Sequence, residues 1–154
     1  MAAQKDTDID VLLRIENLLR YHLKPPFARD FDVFAGIQIA ATGGGDLTVV
    51  SFQVPKGVKG VLKAVGQDAD QPNVFVGNST WKVEIDGSAQ TGWGGVNTQV
   101  GTVENPEDVV IPVSENQTIK LTCSLTDAAN ISLPVNVYGR LKGYYWPVSV
   151  GVNQ

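Results

Sequence analysis

Apolar residues near the N-terminus recur at helical spacing. Between Thr7 and Lys24 they stand three or four positions apart and form one side of an α-helix. Thr7 followed by Asp10 has the form of a capping box, which places the start of the helix there. Pro25 and Pro26 end the helix, because proline lacks the amide hydrogen and disfavours the α conformation in the preceding residue. The sequence therefore predicts a helix over residues 7–24.

After Phe27 the spacing of the apolar residues changes to two, as in a strand with one buried face. The clearest such segment is 119–125, in which Ile, Leu and Cys alternate with Lys, Thr and Ser. Glycine, proline, asparagine and aspartate separate the segments, and Asp86 with Gly87 is a hairpin signal. Further predicted strands lie within residues 33–39, 47–54, 60–66, 81–85, 109–113, 133–141 and 144–148.

This pattern predicts an all-β fold, a jelly-roll-like antiparallel β-sandwich preceded by one N-terminal amphipathic α-helix. Residues 1–26 form the N-terminal arm and helix, and residues 27–154 form the β-sandwich domain. The predicted strands do not alternate with further helices, which argues against a parallel α/β fold.

The composition argues against several classes of protein. The chain has 154 residues, of which 43% are hydrophobic and 18% are charged, whereas soluble domains average about 25% charged residues. Disordered chains lack this apolar content. The 12 basic and 16 acidic residues give a net charge of −4, so we expect no nucleic-acid partner. No apolar run approaches the roughly 18 residues of a membrane span, so we expect no membrane partner.

The titratable side chains predict no catalytic or metal site. His22, the single histidine, stands at the end of the helix, where the helix dipole favours a cation. Cys123, the single cysteine, alternates with leucines and is expected in the core. Paired carboxylates could act as acid and base in a glycosidase, but the sequence marks no particular pair. We therefore expect a protein that is not an enzyme and that binds no cofactor and no metal.

Aromatic residues suggest two further contact surfaces. Trp93 lies among glycines in segment 88–100, which is interpreted as too flexible for an ordinary strand. Two interpretations of Trp93 stay open: contact with a partner or a sugar ring, or a lid on the core. Tyr144, Tyr145 and Trp146 are consecutive, so on a strand their side chains alternate between the two faces. At least one of these three is expected to be exposed or buried against another chain.

The apolar residues of the helix cover more than half of its circumference, which is more than packing on one sheet requires. Leu12, Ile15 and Leu19 also fit a and d positions for about two heptads. The helix packs either on its own sandwich or on a neighbouring subunit, and the proline pair, as a rigid elbow, favours the second arrangement. The interface candidates are Leu12, Ile15, Leu19, Leu23, Trp93, Tyr144, Tyr145 and Trp146.

A short apolar helix before a compact acidic sandwich resembles the small accessory virion proteins of tailed bacteriophages. The segments that carry the resemblance are residues 52–66 and 113–121. Strands separated by proline and glycine, as in this chain, recur in β-sandwich structural proteins of that kind. The resemblance concerns the layout of nearly the whole chain and assigns no functional residue. It implies a non-enzymatic structural protein of the capsid decoration (cement) or head–neck attachment type.

The resemblance also implies partners and a location. The protein would form a homo-oligomer, a trimer or dimer, and bind the major capsid protein or portal and neck proteins. It would be located in the virion after assembly in the host cytoplasm. The alternative is a carbohydrate- or receptor-binding β-sandwich module that uses exposed aromatic residues. Such a module requires at least two coplanar aromatic rings exposed in a groove.

Overall fold

A computed structural model describes residues 2–148 of the chain, including all side chains except those of residues 2–7 and 17. Within this range the chain forms an α-helix, a short 3₁₀ helix at Pro72–Phe75 and eight β-strands. The helix, α1, is Ala2–His22. The strands are β1 Arg29–Ile39, β2 Leu47–Gln53, β3 Val58–Ala69, β4 Ser79–Ile85, β5 Ser88–Val96, β6 Glu107–Ser114, β7 Thr118–Leu125 and β8 Val135–Pro147.

The eight strands form two four-stranded antiparallel sheets. Sheet A has the strand order β1–β8–β3–β6, and sheet B has the order β2–β7–β4–β5. The first strand therefore pairs with the last, the second with the seventh, the third with the sixth and the fourth with the fifth. The prediction of an all-β sandwich preceded by one N-terminal helix is confirmed.

The helix begins earlier than the sequence predicts. It starts at Ala2, so Thr7 lies inside it and the capping-box prediction is wrong. Residues 2–5 are Ala, Ala, Gln and Lys, which are strong helix formers and carry the helix past the expected cap. The last helical residue is His22, close to the predicted end at Lys24 and shortly before the proline pair.

Strand β8 is longer than the sequence predicts. The two predicted segments 133–141 and 144–148 form one strand, Val135–Pro147. Gly143 continues this strand because it pairs with Phe31 in β1 on one side and with Leu62 in β3 on the other. The strand is therefore paired along both edges and forms the centre of sheet A.

The main core lies between the two sheets. Phe31 of sheet A stacks on Phe52 of sheet B, with ring centroids 4.2 Å apart and planes at 10°. Trp81 is fully buried, and its indole nitrogen donates a hydrogen bond of 2.9 Å to Ser79 Oγ. Cys123 is buried in the same core, as predicted, and burial raises the pKa of its thiol to about 12.

Trp93 belongs to this core as well. The segment interpreted as too flexible for a strand forms β5, which pairs with β4, so that interpretation is wrong. Gly92 and Gly95 have positive φ angles, and the β4–β5 register shifts nearby, so the strand can bend without leaving the sheet. Trp93 is only 4% exposed, in agreement with its interpretation as a lid on the core.

Replacing Gly143 with alanine tests the packing at the centre of sheet A. A Cβ at this position would meet the carbonyl oxygen of Val61 and lie 2.5 Å from Cζ of Phe31. We expect Gly143→Ala to lower the free energy of unfolding by about 1–3 kcal/mol, the usual effect of overpacking. Chemical denaturation followed by circular dichroism would measure the difference.

The matched control is Gly44→Ala, because a Cβ there would have no atom within 4 Å. We expect this variant to stay within about 0.5 kcal/mol of the wild type. Equal effects of the two substitutions would contradict the packing described for Gly143.

Candidate functional site

The helix joins the sandwich through its last turn. The Tyr21 ring packs edge-on against Trp146 at a centroid distance of 5.4 Å. The Tyr144 hydroxyl donates a hydrogen bond of 2.8 Å to the carbonyl oxygen of Arg20. Tyr144 and Trp146 form a second buried cluster with Val61, and Tyr21 packs against it. Burial in this cluster raises the pKa of the Tyr144 hydroxyl.

The last two residues of the helix and the segment that follows them fold into a compact connection, residues 21–28, which we call the elbow. Pro25 is buried, and its carbonyl oxygen accepts a hydrogen bond of 3.0 Å from the amide of Ala28. Lys24 Nζ lies 2.7 Å from Asp30 Oδ2 in β1, and this exposed ion pair ties the elbow to sheet A. Several short-range contacts therefore hold the elbow, and the two prolines stiffen it.

The apolar side of the helix is exposed to solvent. Leu12 is 66% exposed and Leu19 is 51% exposed. We call this side the apolar arc; its members are Ile9, Val11, Leu12, Leu13, Ile15, Leu18, Leu19 and Leu23. Single exposed apolar residues are normal on a protein surface, but a contiguous apolar patch usually marks an interaction site.

The direction of the apolar arc follows from helix geometry. Successive residues are rotated by about 100° around the axis of an α-helix. Tyr21 follows Leu12 by nine positions, which is about two and a half turns and places the two on opposite sides. Because Tyr21 faces the sandwich, the centre of the apolar arc faces away from it.

The aromatic interface candidates lie in the interior. Trp93, Tyr144 and Trp146 are buried, and Tyr145 is half-buried, stacked towards Phe52 at 6.4 Å. The alternation along β8 is as predicted, since Tyr145 contacts the main core and its two neighbours contact the second cluster. The expectation that one of the three would be exposed or covered by another chain is corrected, because the elbow of the same chain covers the outer pair.

The structure has a different pair of near-parallel aromatic rings on its surface. Phe34 in β1 and Tyr138 in β8 have ring centroids 6.0 Å apart and planes at 7°, and Phe34 is 58% exposed. The Tyr138 ring lies over Gly36, where a side chain would collide with it. Sequence reasoning missed this pair, although Phe34 stands between the inward-facing residues of a predicted strand. That Tyr138 lies next to Phe34 becomes apparent only from the register in which β1 and β8 pair.

An ion pair lies beside these rings. The Arg140 guanidinium donates two hydrogen bonds to the Asp32 carboxylate, at 2.7 and 2.6 Å, and a third to the carbonyl oxygen of Val103. The hydrogen bonds from Arg140 lower the pKa of the Asp32 carboxyl, although burial acts in the opposite direction. The pair is partly exposed, so we expect it to orient the two side chains more than it stabilises the fold.

Two clefts flank the elbow. The first, about 540 Å³, has a lining of mixed charge that includes Lys24, Asp30, Asp32, Lys63, Asp108 and Lys142. The second, about 450 Å³, is lined by Phe27, Arg29, Pro55, Val58, Tyr145 and Pro147. Neither lining contains a histidine, cysteine, serine or threonine, and the carboxylates of the first cleft include Asp32, which is paired with Arg140. Among the described residues, no three His, Cys, Asp or Glu side chains are grouped to hold a metal ion.

Comparison with known proteins adds no assignment. No known family model matches this chain, and no curated protein matches it significantly in sequence. Within residues 2–148, no helix is both long enough and apolar enough to cross a membrane. Among the described residues, eight of the 14 exposed large apolar side chains belong to the apolar arc.

Replacing Tyr21 with alanine tests the contact that holds the helix. All three tryptophans of the chain are buried, so we expect little quenching of their fluorescence by acrylamide in the wild type. Tyr21→Ala uncovers Trp146, and quenching should increase while the β-sheet signal in circular dichroism stays unchanged.

The control combines Tyr21→Ala with Trp146→Phe, which removes the newly exposed indole, so the increase should disappear. If quenching in Tyr21→Ala equalled that of the wild type, the Tyr21 ring would not be the cover of Trp146.

Proposed function

We propose that this protein is a non-enzymatic structural subunit that self-associates through the apolar arc of α1 and presents its β-sandwich to a larger assembly. The observation that carries the proposal is the exposure of the whole apolar arc on a helix whose last turn packs on the sandwich. The sandwich gives this helix a fixed base, and copies of the chain would supply the apolar surface that the arc lacks.

The energetics of the helix support self-association. Isolated helices are marginal in water even when their sequences favour helix formation, and most depend on the packing of an apolar face. Complete burial of the eight side chains of the arc would contribute on the order of 10 kcal/mol per helix before entropic costs. Such a contribution is comparable to the total stability of a small domain, so a partner surface is expected.

The strand order supports the jelly roll as the finer description of the sandwich. A jelly roll has eight strands in two facing sheets and two Greek keys. Here β1 pairs with β8, β2 with β7, β3 with β6 and β4 with β5. This order is obtained when one long antiparallel hairpin is rolled up. Apolar side chains from both sheets fill the core of this sandwich, as expected of a stable building block.

We extend the proposal to the kind of assembly. The resemblance to accessory virion proteins of tailed phages suggests capsid decoration (cement) or head–neck attachment, with the major capsid protein or portal and neck proteins as partners. The layout of an outward-facing helix on a sandwich supports this assignment. Detection of the protein in purified virions of its source would support it, whereas absence from them would contradict it.

A second candidate function is recognition of a carbohydrate on the outer face of sheet A. The observation that favours it is the near-parallel pair Phe34 and Tyr138 beside the fixed Arg140–Asp32 ion pair. Exposed aromatic faces can stack on sugar rings, and oriented charged groups can bind hydroxyls.

A glycan array would test this second function. We expect binding by the wild type to be lost in Phe34→Ala and kept in Val110→Ala, which removes an exposed apolar side chain from β6 of the same sheet. The absence of binding to any glycan by the wild type would reject the candidate.

Light scattering coupled to size-exclusion chromatography tests self-association. We expect the wild type to have a multiple of the 16.5 kDa chain mass. The double variant Leu12→Gln and Leu19→Gln should have the mass of one chain, because it removes the centre of the arc without adding charge. Glutamine is almost as good a helix former as leucine, so the helix propensity is preserved.

The matched control is Asp10→Gln with Arg14→Gln, which places two glutamines on the opposite, polar side of α1 and leaves the net charge unchanged. This control should keep the wild-type mass. A wild type that is monomeric at all concentrations would reject the proposed function.

A further inference from the structure

We infer that four copies of the chain assemble through an antiparallel four-helix bundle, in which each α1 packs between the helices of two other copies. This inference rests on the proposed self-association of α1 and adds the number and direction of the helices. It depends on three properties of the helix: the width of its apolar arc, the position of Tyr21 and the distribution of charge.

The width of the arc indicates two neighbours per helix. With Leu12 and Leu19 at a positions and Ile15 at a d position, the other arc residues occupy the flanking positions on both sides. Ile9 and Leu23 are at e, Val11 and Leu18 are at g, and Leu13 is at b. A two-stranded coiled coil buries mainly a and d, whereas apolar e and g positions require contacts on both sides of that seam.

The positions opposite the arc agree with this arrangement. Asp10 occupies an f position, and Arg14 and Tyr21 occupy c positions, which face outward in a bundle. Tyr21 is the residue that contacts the sandwich of its own chain through Trp146. Each sandwich would therefore lie outside the bundle and leave the a and d positions of its helix free to contact other helices.

The charges of the helix favour antiparallel neighbours. Residues 5–10 contain one lysine and three aspartates, a net charge of −2. Residues 14–22 of the helix contain Arg14, Arg20 and Glu16, a net charge of +1 with His22 neutral, and Lys24 follows the helix, where it pairs with Asp30. Antiparallel packing places the acidic end of one helix beside the basic end of the next, whereas parallel packing gathers like charges.

The apolar side chains fit this direction. When two helices cross near residues 15 and 16, Leu12 of one lies beside Leu19 of the other, and Ile9 lies beside Leu23. Alternating directions around a closed ring require an even number of helices, and four is the smallest number that gives each helix two different antiparallel neighbours. A symmetric tetramer of this type would place two sandwiches at each end of a bundle about 30 Å long.

Single cysteines test the direction, and the native thiol does not interfere, because Cys123 is buried. Leu12→Cys and Leu19→Cys chains would be co-expressed and oxidised mildly, and each variant would also be oxidised alone. We expect disulfides between position 12 of one chain and position 19 of another in the mixture, and few disulfides in either variant alone. Arg14→Cys, at an outward c position, is the control that should not cross-link.

Light scattering of the wild type would give the number of copies, with an expected mass four times that of the 16.5 kDa chain. A dimer or trimer mass, or efficient cross-linking of Leu19→Cys alone, would overturn the antiparallel tetramer and leave self-association intact. A mass of one chain at all concentrations would overturn both this inference and the proposed function.

Discussion

The contact between the last turn of α1 and the outer face of sheet A determines in which direction the apolar arc of the helix faces. The Tyr144 hydroxyl holds the carbonyl oxygen of Arg20, and Trp146 receives the ring of Tyr21. Because Tyr21 lies on the side of the helix opposite Leu12, this contact turns the apolar arc away from the sandwich. The same few residues therefore fix the helix and leave the apolar arc exposed to solvent within residues 2–148.

Strand β8 connects this contact to the core. Its central position between β1 and β3 means that inward residues such as Leu141 pack in the sandwich, while Tyr144 and Trp146 point outward under the elbow. Gly143 allows the Phe31 ring to lie against β8. It stands between the strand residues that pack in the core and those that pack under the elbow. A change that loosens β8 would therefore affect the core and the helix base together.

Local pattern in the sequence predicts the parts of the fold that depend on near neighbours. The helical spacing of apolar residues predicts α1, and the proline pair predicts where it ends. The alternation of apolar and polar residues predicts β7, with Cys123 on its buried face. The parts that depend on distant residues were not predictable in this way. The sequence around Trp93 predicts a loop, and only the pairing of its strand with β4 shows that Trp93 is in the sheet. Trp146 is covered by Tyr21, which is distant from it in sequence.

Hydrogen exchange of the helix as a function of protein concentration tests the central claim most directly. If α1 is stabilised by other copies, amides of residues 9–19 should be protected in concentrated samples. They should lose that protection on dilution, while amides of β8 stay protected because β8 is hydrogen-bonded along both edges within one chain. Helix protection that does not change with concentration would contradict the account, because the arc would then need no partner.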